Sequence, residues 1–238
     1  MRRRRRQRVT LKALRAYYPE GAFAGRLLAM PQYRCIYVKN AKSGSSTLTL
    51  WLHRIHTGDH DFAPANIHKR HQLPRPGSLG WDTVVDMLNG EAFRFSFVRD
   101  PIARMQSAYL DKIANERKDA WRVRRRGRGL GVEADPQWVP TFEQFIEVLE
   151  EQEPRWMDPH WRPQHLNLMH PLVEYDFIGR LENFEADLER VREATGMPVV
   201  PMPVRNVRPR SESLFDGRPD LLRRARKIYA GDLELYGY

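Results

Sequence analysis

The sequence predicts an α/β fold in which a central, mainly parallel β-sheet is flanked by helices. Three observations point to it. Short apolar, β-rich runs stand at residues 33–38, 93–98 and 175–179. Each is short for a helix and carries Val, Ile, Tyr or Phe, residues that fit a pleated, buried surface. Helix-patterned stretches with start signals follow each run. Strands that alternate with helices pair in parallel, because the crossover helix returns the chain to the edge it started from.

In chain order, residues 1–30 read as a basic arm and residues 31–238 as a single domain. Cys35-Ile36-Tyr37-Val38 is a buried strand. After a small-residue loop, Leu48-Thr49-Leu50-Trp51-Leu52 opens an apolar helix that runs to about His56. Residues 57–80, rich in His, Pro and Gly, read as a loop. A short helix starts near Asp82 and stops at Gly90, since glycine takes the left-handed turn that ends a helix. Asp100 is placed to cap the next helix, with Pro101 at a position where a missing N–H costs nothing. That helix is expected to reach about Trp121. Thr141 and Gln144 make a capping-box pair ahead of a helix to about Glu151. Asn183 is placed to cap a helix that ends near Gly196. Residues 197–210 are rich in Pro and Arg, with one short strand expected near Val204, and a last helix follows Pro219.

With 238 residues, 41% of them hydrophobic, the chain can bury a sizeable core. No apolar run approaches the roughly 18 residues of a membrane-spanning helix. No apolar segment follows the N-terminal arginines, as one would in a secretory signal. The single cysteine, Cys35, excludes an internal disulfide, and a reducing, cytoplasmic setting is expected. The net charge of +10 belongs largely to the arm, where Arg2 to Arg6 and Arg8 lie. Arg122, Arg124, Arg125, Arg126 and Arg128 form a second group in an Arg/Gly-rich stretch that reads as a mobile loop. Such blocks are commonly solvated. They also suit an anionic membrane, a nucleic acid or a polyanionic ligand, and charge alone does not choose among these.

Two loops carry chemistry. The first is Lys42-Ser43-Gly44-Ser45-Ser46-Thr47, between a strand and a helix. Small residues let backbone N–H groups approach a phosphate, the helix adds its positive N-terminal end, the hydroxyls of Ser45, Ser46 and Thr47 can donate, and Lys42 brings a charge. The nucleoside-triphosphate loop G-x-x-x-x-G-K-[ST] is absent, for the lysine here precedes the glycine. The second is Arg99, which ends the strand at 93–98, with Ser107 two turns into the following helix. A guanidinium and a hydroxyl can clamp a phosphate. Ligands of open α/β sheets sit beyond the carboxyl ends of the strands, so both loops are expected at one crevice.

Together these elements resemble the signature of sulfotransferases that use 3′-phosphoadenosine 5′-phosphosulfate. In that superfamily a loop like Pro-Lys-x-Gly-Ser-Thr-Ser binds the 5′ phosphosulfate, and an Arg with a Ser eight residues later binds the 3′ phosphate. Arg99 and Ser107 have that spacing. Three further stretches resemble the carbohydrate sulfotransferase family 2 group: His160-Trp161-Arg162-Pro163-Gln164, the run from Tyr175 to Glu182, and the ending Ile228 to Tyr238. The resemblance covers about residues 33 to 238 and implies a P-loop-like sulfotransferase fold. Some features depart from the family. Ala41 stands where the family has proline, the cysteines common near His-Trp-Arg-Pro are absent, and the membrane anchor of lumenal relatives is not seen.

The resemblance implies that Lys42 contacts the leaving phosphate and bridging oxygen, that residues 43–47 hold the phosphosulfate, and that Arg99 and Ser107 hold the 3′ phosphate. Arg205, Asn206, Arg208 and Arg210 fall where related enzymes close a loop over that site. It implies adenosine 3′,5′-bisphosphate as product, a carbohydrate or glycolipid acceptor, and no metal. Nucleic acid is not an expected partner, and peripheral membrane contact is open to the basic arm. The base is a histidine, His71 ahead of His68, with His160 as a third candidate. Two other readings stay open: a phosphate-loop kinase, and a nucleic-acid or anionic-surface binding module that uses the arginine clusters.

Overall fold

The first two apolar runs become neighbouring strands, the third joins them, and a fourth strand comes from a stretch with no clear pattern. A computed structural model of the chain describes residues 8–18, 23–115, 123, 139–201 and 213–238. The strands are β1 (Leu27–Met30), β2 (Cys35–Val38), β3 (Phe93–Val98) and β4 (Phe177–Arg180). The helices, in chain order, are α1 (Leu11–Tyr17), α2 (Ser45–Thr57), α3 (Ile67–Arg70), α4 (Pro76–Leu79), α5 (Trp81–Asp86), α6 (Pro101–Tyr109), α7 (Phe142–Glu150), α8 (Phe184–Thr195), α9 (Pro219–Ile228) and α10 (Ala230–Tyr236), with a single turn at Gln164–Asn167. The chain gathers into two compact units, Met1–Val98 with Asn167–Val207, and Arg99–Leu166 with Arg208–Tyr238.

The first unit holds the sheet, in the order β1-β2-β3-β4. β2, β3 and β4 run parallel and β1 is antiparallel to β2, so the expected mainly parallel sheet is present. All four residues of β1 and all four of β2 are buried. A strand covered on both faces has no polar–apolar alternation to read, which is why β1 looked like part of an unpatterned arm. The arm expected over residues 1–30 therefore gives way to structure well before residue 30: α1 buries Leu14, capped by the Thr10 side chain, and β1 is in the sheet. Within 57–80, expected to be loop, the chain forms α3 and α4.

One face of the sheet packs Met30, Cys35, Tyr37, Phe95 and Phe97 against Leu48, Trp51 and Leu52 of α2 and Leu188 and Val191 of α8. Burial pushes the Cys35 thiol up to about 12, so it is an inert packing residue. β3 and β4 approach so closely that a Cβ on Gly179 would meet the Phe97 ring at 2.6 Å. Arg94 and Asp176 brace the same pair of strands, with the Arg94 Nε 2.9 Å and its backbone N–H 2.8 Å from one carboxylate oxygen.

The second unit packs α6, α7 and α9 around Met105, Tyr109, Phe145, Leu149, Trp161, Leu221 and Tyr229. The expected capping box forms at α7: the Thr141 hydroxyl accepts from Gln144 N–H, and the Gln144 side chain accepts from Thr141 N–H. The helix begun at Pro101 widens into a π-type turn at Leu110–Asn115. Asn183 stands at the N-cap of α8 as expected, but its side chain makes no capping hydrogen bond, and the helix is entered from a 3-10 turn at Leu181–Asn183. Among the described residues no helix is long and apolar enough to cross a membrane. The strand expected near Val204 and the arginines at 122–128 lie outside the described residues.

The Arg94 hydrogen bonds hold the Asp176 carboxyl below the usual carboxylate range. A depressed folded pKa stabilises above the unfolded value and is lost as pH falls through the folded one. Asp176→Asn is therefore expected to reduce stability at neutral pH and to flatten the acid limb of a stability–pH curve from denaturant unfolding.

Candidate active site

In the first unit the chain leaves β2 at Val38 and enters α2 at Ser45 through a tight loop. Two positive φ angles shape it, +66° at Lys42 and +77° at Gly44. At Lys42 the left-handed turn costs roughly 1–2 kcal/mol, since the residue carries a Cβ. At Gly44 only glycine fits twice over, because an added Cβ would also lie 3.0 Å from the Phe184 ring. Gly44 is the N-cap of α2 and supplies no side-chain cap. The first amides of the helix have no carbonyl within the helix to bond, so the positive end of α2 is presented beside Lys42.

Asn40 holds this loop in place. It is completely buried. Its amide donates to the Ser43 hydroxyl and to the Phe97 carbonyl near the end of β3, both at 3.1 Å. Its oxygen accepts from Asn167 at 3.2 Å, and the Asn167 carbonyl in turn accepts from the Tyr18 hydroxyl. Ser43, one of the loop residues expected to hold the phosphosulfate, is fully buried, and its hydroxyl braces the loop by accepting from Asn40. Ser45, Ser46 and Thr47 remain half-exposed.

The two favoured histidines differ. His68 is exposed, with its Nε2 3.0 Å from the Ser46 hydroxyl of the loop. His71 is half-buried, and its buried Nδ1 has no hydrogen-bond partner among the described residues. Burial first, then the charges of Lys39, Arg75 and His53, lower His71 to about 4. Burial, with Arg26 and Arg75, lowers Lys39 to about 8. The potential around the loop is positive, and His71 stands neutral at pH 7.

The second unit begins at Arg99. Asp100 caps α6 as expected, one carboxylate oxygen accepting from the N–H groups of Ile102 and Ala103 at 2.8 Å. The N-terminus of α6 is thus already satisfied by a carboxylate, in contrast to that of α2. Arg99 and Ser107 are both half-exposed. Arg104 is not: it is fully buried and donates to the carbonyls of Arg162 and Pro159 at 2.8 Å. His160 is tied by Nδ1 to Asp158 at 2.6 Å. Arg205, Asn206, Arg208 and Arg210 lie outside the described residues.

A family model described as the sulfotransferase family matches residues 26–238. The chain belongs to that family. Among curated proteins it is similar to carbohydrate sulfotransferase 14 of Danio rerio, 39% identical over 114 residues, which cover 44% of this chain and 30% of that protein. It is 31% identical over 169 residues to carbohydrate sulfotransferase 12 of Xenopus laevis, covering 61% of this chain and 40% of that one. To carbohydrate sulfotransferase 10 of Gallus gallus it is 30% identical over 205 residues, covering 72% and 53%. The chain therefore spans about a third to a half of the length of these relatives. No solved structure matches it.

Sequence reasoning passed over Lys39, Asn40, Gln164 and Asp232 as individual residues. Asn40 carried a faint signal as an amide between a strand and a glycine turn. Asn40→Leu keeps the volume but takes these partners from the Phe97 carbonyl and the Ser43 hydroxyl. It is expected to destabilise the fold by about 1–3 kcal/mol, the scale of losing a buried hydrogen-bond partner, measured by urea unfolding.

Proposed function

We propose that this chain transfers a sulfuryl group from 3′-phosphoadenosine 5′-phosphosulfate to a hydroxyl of a carbohydrate or glycoconjugate. The observation that carries the proposal is the N-terminus of α2, left without a side-chain cap behind a left-handed Lys42, in a chain of the sulfotransferase family. The loop amides and the Ser45, Ser46 and Thr47 hydroxyls hold the 5′ phosphosulfate, and Arg99 with Ser107 takes the 3′ phosphate. The relatives' names support a carbohydrate acceptor.

The transfer forms a bond from the acceptor oxygen to sulfur as the bond from sulfur to the 5′-phosphate oxygen breaks. Lys42 and the α2 amides meet the charge that grows on the leaving phosphate, where fixed donors act without reorganisation. His71 accepts the proton of the acceptor hydroxyl. Its neutrality at pH 7 suits a base, though a lowered pKa weakens its pull on the proton.

Calorimetry with adenosine 3′,5′-bisphosphate tests the donor site. Lys42→Ala and Arg99→Ala are each expected to weaken binding by about tenfold or more, the scale of a charge-assisted hydrogen bond. Unchanged binding in the double variant would sink the reading.

The pH profile tests the base. With His71 lowered to about 4, the neutral form persists as pH falls through the ordinary histidine range. The acid limb of kcat/KM is expected well below pH 6.5, and His71→Ala is expected to cut kcat by roughly 10²–10⁴. Activity that survives His71→Ala and is lost in His68→Ala would move the role to His68.

A further inference from the structure

Two stretches of the chain stand outside the proposed chemistry, the segment 158–166 and the C-terminal α10. Within the second unit they meet at Gln164, which bonds Arg99. The Gln164 side chain spans both polar groups of the Arg99 backbone: its oxygen accepts from Arg99 N–H at 3.0 Å, and its amide donates to the Arg99 carbonyl at 2.8 Å. β3 ends one residue earlier, at Val98, so Gln164 supplies at Arg99 a pair of bonds like those of a strand ladder. Gln164 is itself held. One oxygen of Asp232, on α10, accepts from Gln164 N–H at 2.5 Å. The other accepts from His165 N–H at 2.9 Å and lies 2.6 Å from His165 Nδ1. Gln164 and Asp232 are both completely buried. A second tie runs alongside, from the Tyr229 hydroxyl to the Trp161 carbonyl at 2.5 Å.

A buried carboxylate needs compensation, and here three N–H groups from one short segment provide it. A backbone amide and carbonyl gripped together cannot rotate their peptide planes independently. The direction in which the Arg99 side chain departs is therefore set by a residue 65 positions away in sequence. We propose that Gln164 and Asp232 are positioning residues for anion binding by Arg99, with Asp232 on the C-terminal helix holding Gln164 and Gln164 aiming the guanidinium. This rests on the reading of Arg99 as the ligand of the donor's 3′ phosphate. It also gives a purpose to the His160–Gln164 stretch and to the C-terminal run, which the transfer chemistry leaves unused.

The test compares adenosine 3′,5′-bisphosphate with adenosine 5′-monophosphate by calorimetry on the full chain. The ratio of the two dissociation constants reads the 3′-phosphate contact alone. Gln164→Met, of similar length but unable to bond Arg99, is expected to shrink that ratio by about tenfold while the monophosphate binds within about twofold of wild type. Asp232→Asn and Gln164→Glu, each of which keeps part of the bonding, should fall between. Adding Gln164→Met to Arg99→Ala should bring no further loss, because residues that act as one unit are not additive. A merely structural role would weaken both nucleotides in parallel or lower the melting temperature with the ratio intact, and either result overturns the proposal. Should Gln164→Met fail to fold, the other two variants decide by the same ratio. If Arg99→Ala itself leaves the ratio at the wild-type value, the reading of Arg99 falls and takes this proposal with it. If Arg99→Ala collapses the ratio and the Gln164 and Asp232 variants do not, only the positioning proposal falls.

Discussion

The loop after β2 depends on the buried side chain of Asn40. A short, small-residue loop has little apolar surface with which to hold its shape, and at Lys42 it is held in a left-handed turn that L-residues avoid. The amide of Asn40 answers both needs. It bonds the loop at Ser43, the neighbouring strand at Phe97, and Asn167 beyond them. Each of these groups is away from water, so losing the amide would remove buried hydrogen bonds, and that cost keeps the arrangement in one state. Gly44 completes the constraint, since its φ of +77° favours glycine and an added Cβ would crowd the Phe184 ring at 3.0 Å where the loop enters α2.

What that constraint achieves is best seen by comparing two helix starts. α6 begins with Asp100, whose carboxylate satisfies the first amides from within the chain. α2 begins with Gly44, which has nothing to offer them. The same physics of unpaired N–H groups thus produces a closed terminus in one place and an anion-receptive one in the other. Burial, then the charges of Arg26 and Arg75, lowers Lys39 to about 8, and burial, then the charges of Lys39 and Arg75, lowers His71. A site that repels its own cations is prepared for an anion, and binding one relieves that repulsion.

The strands at 93–98 and 35–38, the loop at 42–47, the Asp100 cap and the capping box at Thr141 were legible because each rests on neighbours in sequence. β1 was not legible. Its residues are buried on both faces and alternate nothing, and its partner β2 is reached through a turn that needs a left-handed Arg34. A hydroxyl in a phosphate-type loop looks available in one dimension. Burial makes that of Ser43 a brace for Asn40, just as it makes Arg104 an anchor for the carbonyls of Arg162 and Pro159.

The sequence by itself determined the class of fold, the two loops that carry charge and hydroxyls, and, through several ordered stretches together, the family. These are properties of local pattern and spacing. Tertiary structure alone decided which polar groups face a ligand and which hold the scaffold. Asn40 meets Phe97 across 57 residues, Gln164 meets Arg99 across 65 and Asp232 across 68. A hydrogen bond between such distant residues leaves no periodic trace in the chain. Its energy comes from the exclusion of water around both partners, and that exclusion exists only once the core has closed.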